Sequence, residues 1–547
     1  MKTQYSLIKR TSLITLLITA LFTTYSCAND DDNNSHPNIS SKNIEIIPQP
    51  VSLEYGSQRI EMPSVVSISK DIPSTMQKLL EKSITDYKVA SSINIEKNES
   101  AFISTKIDNS LSEEEYELDI TQKSILITHS TQQGLLWGIQ TLRQVLMQAE
   151  SSTKGDFSIP TLSIKDTPKY AWRGFHIDLA RHMFSLDYLK KVTDCLSLYK
   201  INKIQLHLTD DQGWRIEIKK HPNLTTVGGW RHFDEYDEEC IKLSHTDASY
   251  TIDERYIRNG KEYGGFYTQD EIKDFVTFAT SVGIEVIPEI DMPGHFSAAI
   301  KAYPELSCTG SSGWGEEFSY PVCAGKAKNH PFLYDILDEV MTLFPSKHFH
   351  IGADEVEKNN WKKCEDCQRL IAEENLMNVE GLENFFVNNI NSYLNKREKS
   401  TMAWDDAFYK KEPQEMIYTY WRDWLPNQAG TITQAGFPVV FMEWGNFYLS
   451  ATPSDEQLQS LYNFKFEPKF KGIVKSNILG FQACIWTEMI PNEQKLGHHL
   501  FPSIQAYTEV AWGTASNWDS FKKKMNWHLK HLTKEGFYVR TPDFIKK

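Results

Sequence analysis

The 547-residue chain is short of positive charge: 58 Lys and Arg stand against 72 Asp and Glu, a formal net charge of −14. That balance leaves nothing to neutralise a phosphate backbone, so nucleic acid is excluded as a partner. Long hydrophobic runs are also missing. The apolar run Leu13–Phe22 is shorter than the ~20 residues a membrane-spanning helix needs, and no longer one follows. Internal repeats are absent, and low complexity is confined to a short polar stretch near the N-terminus. What is present is 40% hydrophobic and 12% aromatic residues, enough for a core and too much for a disordered chain. At roughly 100–200 residues per domain the length suggests two or three domains. Fourteen Trp and 24 Tyr are plentiful, and aromatic faces suit the flat, weakly hydrophobic faces of sugars, although most aromatics serve as core.

Lys2, Lys9 and Arg10 precede the Leu13–Phe22 run, which reads as the apolar region of a secretory signal over residues 1–26. Cys27, after Thr24-Tyr25-Ser26, resembles the lipidated cysteine of a bacterial lipoprotein, although Tyr25 is bulkier than that pattern favours. Ordinary signal cleavage and an uncleaved anchor are the alternatives. Residues 27–43, with the acidic stretch Asp30-Asp31-Asp32, are expected to be a flexible tether. The stretch resembles the signal that sends some lipoproteins to the outer surface. The expectation is therefore a membrane partner through a lipid anchor at the outer membrane, with the periplasm as second placement.

Setting Cys27 aside, seven cysteines remain: Cys195, Cys240, Cys308, Cys323, Cys364, Cys367 and Cys484. An odd number leaves one thiol free or paired between chains. Cys308 and Cys323 flank a Gly/Ser-rich loop and are the preferred disulfide pair. Cys364-Glu365-Asp366-Cys367 has the spacing of a redox or zinc motif, but a zinc site needs two further ligands and no second such motif exists. A local disulfide or two idle thiols is the expectation there, and no metal ligand is assigned.

Residues 44–165 combine short strand patterns, such as Val65–Ile68 and Ser124–Ile127, with a helical pattern over Gly134–Leu146, and read as a small α+β domain. From 166 to 547 the pattern changes to short apolar strands separated by helices. The strands are Gly174–Leu179, Lys203–Leu208, Gly283–Ile290, His348–Gly352, Ser400–Trp404, Glu415–Tyr420, Pro438–Met442 and Gly480–Trp486. Eight strands close a (β/α)₈ TIM barrel, an α/β fold, here followed by C-terminal helices. Ser185 and the Thr268/Glu271 capping box mark helix starts. The connection from Asp211 to Gly265 is too long for a bare loop.

A barrel of this kind does its chemistry where the strands end. Those ends carry Asp178, Asp210-Asp211, Glu289 with Asp291 and His295, Asp354-Glu355, Trp404-Asp405-Asp406, Trp421-Arg422, Tyr448 and Trp486-Thr487-Glu488. Carboxylates interleaved with indoles suit a glycosidase pocket, in which acids do the chemistry and aromatic rings form the walls. Two adjacent carboxylates at 354 and 355 favour protonation of one of them, as a general acid requires.

These residues, in this order, resemble glycoside hydrolase family 20, the β-N-acetylhexosaminidases. The resemblance rests on Trp172-Arg173-Gly174, His207–Trp214, Pro288–His295, Gly352-Ala353-Asp354-Glu355 and Trp486-Thr487-Glu488, and runs from Ile47-Pro48-Gln49-Pro50 to about Trp512. It implies retaining exo-cleavage of terminal β-linked GlcNAc or GalNAc, in which the substrate's own 2-acetamido oxygen attacks the anomeric carbon and forms an oxazolinium ion. By the same resemblance Glu355 is the acid/base, Asp354 orients the acetamido N–H, and Tyr448 donates to the acetamido oxygen. Trp404, Trp421 and Trp486 enclose the sugar, Arg173 and Glu488 bind outer hydroxyls, and Asp210 and His295 support the acid. No cofactor or metal is implied. Where the family has Tyr-Leu-Asp this chain has Tyr448-Leu449-Ser450, a lost carboxylate that suggests relaxed discrimination at C4 or tolerance of an anionic C6 group such as sulfate.

Taken singly, several of these residues have plainer readings. His207 and His350 read first as buried, hydrogen-bonded strand histidines, and Asp405-Asp406 as a solvent-facing charge pair. Metal ligation by Asp291 with His295, or by His207 with Asp210, lacks a compact ligand spacing. A glycan-binding protein without turnover is the alternative from a different functional class; the presence of Asp354, Glu355 and Tyr448 argues against it.

Overall fold

The computed structural model describes residues 43–151 and 156–546. The signal, Cys27 and nearly all of the tether lie outside the described residues. Among the described residues no helix is long and apolar enough to cross a membrane.

The N-terminal part is a twisted mixed sheet. Its strands run in the spatial order Ser52–Glu61, Phe157–Asp166, Tyr116–Ile120, Ile125–His129, Ile103–Ile107, Val65–Ser69 and Ser92–Glu96. The helix Gln132–Leu146 starts where the Thr131 hydroxyl accepts from the N–H groups of Gln133 and Gly134. From Gly134 on, every residue of this helix is buried, because one side packs on the sheet and another meets the barrel helix Leu186–Leu198. Gly138 is required by that approach: a Cβ there would lie 2.6 Å from Ile127 and 3.2 Å from Tyr116. At the seam, Gln140 donates to Ser197, Gln144 to the Leu198 carbonyl, and Arg143 pairs with Asp194 at 3.2 Å. Lys200 reaches Asp166 at 2.7 Å with both side chains fully buried.

Eight parallel strands then close into the expected barrel: Trp172–Asp178, Lys203–His207, Glu285–Glu289, His348–His350, Ser400–Trp404, Ile417–Tyr420, Val439–Phe441 and Ile478–Ile485. Ser185 and the Thr268/Glu271 pair cap their helices as anticipated. Side chains alternate inward and outward along each strand. Trp172, Ile287, Met402, Ile417 and Val440 form an apolar plug at the lower end, and above them the barrel interior holds buried polar side chains such as His176, His207 and Glu289. The long second connection is folded: helix Glu235–Ser244 and a three-stranded sheet of Trp230–His232, Glu262–Gly264 and Ile257–Arg258 sit over the strand ends.

The cysteine expectation is corrected here. Cys308 and Cys323 are not a private pair, because Cys364 and Cys367 reach the same point: Cys308–Cys367 is 3.8 Å between sulfurs, Cys323–Cys364 3.7 Å and Cys323–Cys367 3.6 Å. Cys195, Cys240 and Cys484 are separately buried thiols.

Candidate active site

The upper half of the barrel is organised around one buried carboxylate. Glu289 Oε2 lies 3.0 Å from His207 Nδ1 and 3.4 Å from His176 Nε2, and accepts from Gln205 at 2.8 Å. Its Oε1 lies 3.2 Å from His350 Nδ1 and accepts the Trp404 indole N–H at 2.9 Å. Burial opposes the charge, but His207 and His350 outweigh it and hold Glu289 well below the usual carboxylate range. His207 and His350 are thus the buried strand histidines expected, and the His350 ring packs edge-on against Trp404 at 5.0 Å.

From this hub a chain of alternating charges climbs to the cleft. His207 Nε2 is 2.8 Å from Asp210 Oδ2, and Asp210 Oδ1 is 3.2 Å from His295 Nδ1. His295 Nε2 then faces Glu355 Oε2 at 3.5 Å and Asp354 Oδ2 at 3.7 Å. Burial disfavours charge throughout, yet Glu289 and Asp210 raise the His207 pKa, Asp210 and Asp354 raise that of His295, and Arg181 and His295 lower that of Asp210. The result is an imidazolium facing the two acids.

The turn after the fourth strand aims those acids. Gly352, Ala353 and Glu355 have φ of 65°, 66° and 51°. Only glycine adopts such angles freely, so the strain at Ala353 and Glu355 is held by neighbours. One is Asp291, whose Oδ1 accepts the Ala353 N–H at 3.1 Å. A Cβ on Gly352 would stand 1.9 Å from that oxygen. The two acids end in different surroundings: the Asp354 side chain is 10% exposed and Glu355 28%. Burial pushes the Asp354 carboxyl up to about 7. Asp291 is raised as well, by burial and then by Asp354.

Aromatic rings form the walls. Trp486 lies 5.9 Å from Trp404 and 4.9 Å from His207, and Tyr448 stacks on Trp421 at 6.2 Å between ring centres and lies 6.3 Å from Trp486. The Trp421 indole donates to Asp406 at 2.7 Å. Asp405 and Asp406 are therefore not a solvent-facing pair: Asp405 is fully buried and Arg422 holds both, at 2.9 and 3.2 Å. Ser450 Oγ accepts the Trp486 N–H at 2.6 Å.

One assigned residue is displaced altogether. Arg173 stands near the start of the first strand, on its outward face, donating to the Lys200 carbonyl and pairing with Glu114 while it lies over the rings of Trp512 and Trp137. Inward positions on that strand are Trp172, Gly174, His176 and Asp178, so residue 173 points the other way and at the wrong end. The guanidinium in the cleft is Arg181, 2.7 Å from Asp210, 4.0 Å from Glu488 and 5.0 Å over the Trp486 ring. Its signal was its place in the turn after Asp178. Arg173→Met is expected to cost about 3–5 kcal/mol, because it removes the cation paired with Glu114 and leaves that carboxylate only the Trp137 indole, at 2.7 Å; a lowered Tm with unchanged KM would show it.

Such a cleft, acids on a strained turn inside an indole-walled barrel mouth, defines a carbohydrate-cleaving class of site, and the comparisons agree. The profile "Glycosyl hydrolase family 20, catalytic domain" matches residues 170–515, and "Glycosyl hydrolase family 20, domain 2" matches 43–167. The chain belongs to glycosyl hydrolase family 20. It is 31% identical over 500 residues to a β-hexosaminidase of Porphyromonas gingivalis, covering 86% of this chain and 61% of that one. A β-hexosaminidase of Vibrio furnissii is 31% identical over 433 residues, covering 74% of this chain and 66% of its own. The chain thus spans less than two thirds of the length of these two relatives. Among solved structures, a GH20 exo-β-N-acetylglucosaminidase from Vibrio harveyi in complex with N-acetylglucosamine superposes with a TM-score of 0.79 at 27% identity, over 92% of this chain and 79% of that one. A β-N-acetylhexosaminidase from Bacteroides fragilis gives 0.76 at 27% identity, over 91% and 97%.

Proposed function

We propose that the protein is a retaining exo-β-N-acetylhexosaminidase that removes terminal β-linked GlcNAc or GalNAc by participation of the substrate's acetamido group. The observation that carries this reading is the unequal burial of two adjacent acids beside His295. Glu355, the more exposed, can reach both a leaving oxygen and the water that follows, as an acid/base must. Asp354, buried behind it, is placed to accept the acetamido N–H and to stabilise the positive charge of the oxazolinium ion. Tyr448 donates to the acetamido oxygen, which attacks the anomeric carbon, and Trp404, Trp421 and Trp486 confine the group so that no protein nucleophile is needed.

The test is release of nitrophenol from the β-N-acetylglucosaminide and the plain β-glucoside under identical conditions. Fast release from the acetamido sugar alone is expected; equal release from both rules out acetamido participation, and release from neither moves the glycan-binding reading ahead. Arg181 and Glu488 are placed to take outer sugar hydroxyls. Losing a hydrogen bond to a charged group costs about 1.5–3 kcal/mol, so Arg181→Ala is expected to lower kcat/KM by roughly 10- to 150-fold.

The uncharged Ser450 leaves its part of the cleft without the carboxylate that family resemblance places there, which supports relaxed discrimination at C4 or admission of a 6-sulfated sugar. Ser450→Asp is expected to change the ratios of kcat/KM among gluco, galacto and 6-sulfated substrates; unchanged ratios would remove the idea. Lipidation at Cys27 is part of the same proposal: Cys27→Ala should move the protein out of the membrane fraction.

A further inference from the structure

We propose that Cys308, Cys323, Cys364 and Cys367 bind one zinc ion as a structural tetrathiolate, remote from the sugar chemistry. The four sulfurs lie within 4.8 Å of one another. The separations of 3.6, 3.7 and 3.8 Å are the argument. Four sulfurs about 2.3 Å from a zinc at the centre of a tetrahedron stand about 3.8 Å apart. A disulfide needs about 2.05 Å. A disulfide network also pairs sulfurs two by two, whereas here Cys323 is equally close to both Cys364 and Cys367.

The surrounding backbone is shaped for the cluster. Gly325, two residues after Cys323, packs directly against the cluster. Its Cα lies so close to the Asp366–Cys367 backbone that a Cβ would stand 2.3 Å from the Cys367 nitrogen. Lys326 bonds the Ser307 carbonyl at 2.5 Å and so brings a positive charge beside a site of formal charge −2. Binding converts four thiols to thiolates, with zinc accepting four electron pairs and four protons passing to solvent.

The site ties together the two connections that carry the acid machinery. Cys323 follows Val322, whose N–H donates to the Pro293 carbonyl at 2.9 Å, two residues before His295. Cys364 follows Trp361, whose indole donates to the Val322 carbonyl at 3.0 Å, on the connection that starts with Asp354-Glu355. Zinc would fix the distance between His295 and the acids from outside the cleft.

The experiment is elemental analysis of the purified full chain, followed by displacement with a mercurial thiol reagent and refilling with Co²⁺ under reducing conditions. One zinc per chain, released as the thiols are titrated, and one Co²⁺ giving sulfur-to-cobalt charge-transfer and tetrahedral d–d absorption are the expected results. Cys364→Ser and Cys367→Ser should lose the metal, whereas Cys240→Ala should keep it. Disulfide-linked peptides joining any two of the four overturn the proposal, and so do four free thiols that take up neither ion. Because the wild-type protein answers the question, misfolding of a cysteine variant does not blunt it.

Discussion

Glu355→Gln is expected to lower kcat/KM on a β-N-acetylglucosaminide by about 10²–10⁴-fold, the usual contribution of a positioned general acid. The amide keeps the size and the strained backbone of residue 355, so the loss isolates the proton. The loss should be larger for a glycan leaving group, which needs protonation, than for nitrophenol, which leaves readily as the anion. Azide or another small nucleophile should restore part of the second step, because an anion can attack the oxazolinium ion without base assistance. Steady-state rates on both substrates check this, and equal rates for mutant and wild type on the glycan would remove Glu355 from the role. His295 bears on the outcome, because its positive charge lies within 3.5 Å of Glu355 and couples it to Asp210 and Glu289 below.

Asp354→Asn is expected to lose about 10²–10³-fold in kcat, the scale for removing one preorganised electrostatic contact to the transition state, and also to stabilise the fold. The carboxyl is raised from 3.8 to about 7 by burial. An acid with a raised folded pKa binds its proton more tightly when folded. Between the unfolded and folded values the folded state therefore holds more protons, and stability falls as pH rises through that window. The penalty is small near pH 4, grows to about pH 7 and is constant above. At about 1.4 kcal/mol per unit, and with the neighbouring Asp291 coupled to it, it amounts to on the order of 2–4 kcal/mol. Asparagine never ionises, so the difference in Tm between mutant and wild type should be near zero at about pH 4 and positive at about pH 8. Thermal melts across that range check it, and a difference independent of pH would mean that Asp354 is not buried as a charge.

Most of the fold was legible because a parallel barrel repeats one local pattern. Short apolar strands such as Ser400–Trp404 were bounded correctly, with capped helices between them. The acids and indoles were legible for the same reason: a strand end is a known place in a barrel, so Asp354-Glu355, Trp404 and Trp486 could be located without contacts. Arg173 shows where local reading failed although the information existed. Parity along the strand separates it from inward-facing His176 and Asp178, and its position near the strand start puts it far from the mouth. A motif resemblance carried the residue to the cleft where counting would have kept it out.

Other features were decided by partners far away in sequence. Asp405-Asp406 looked like surface charge because nothing nearby showed that Arg422 and the Trp421 indole would enclose it. The raised Asp354 and the charged His295 depend on burial and on Asp210, none of which has a local signature. The four cysteines make the clearest case: Cys364 and Cys367 announce themselves by spacing, but Cys308 and Cys323 arrive from the preceding connection. By itself the sequence determined the strand count, the order of the acids and the aromatic character of the cleft, since these follow from periodicity and position along single strands. Tertiary structure alone decided which arginine enters the cleft, which acid is buried and which sulfurs meet, because each depends on distances between segments that chain order leaves open.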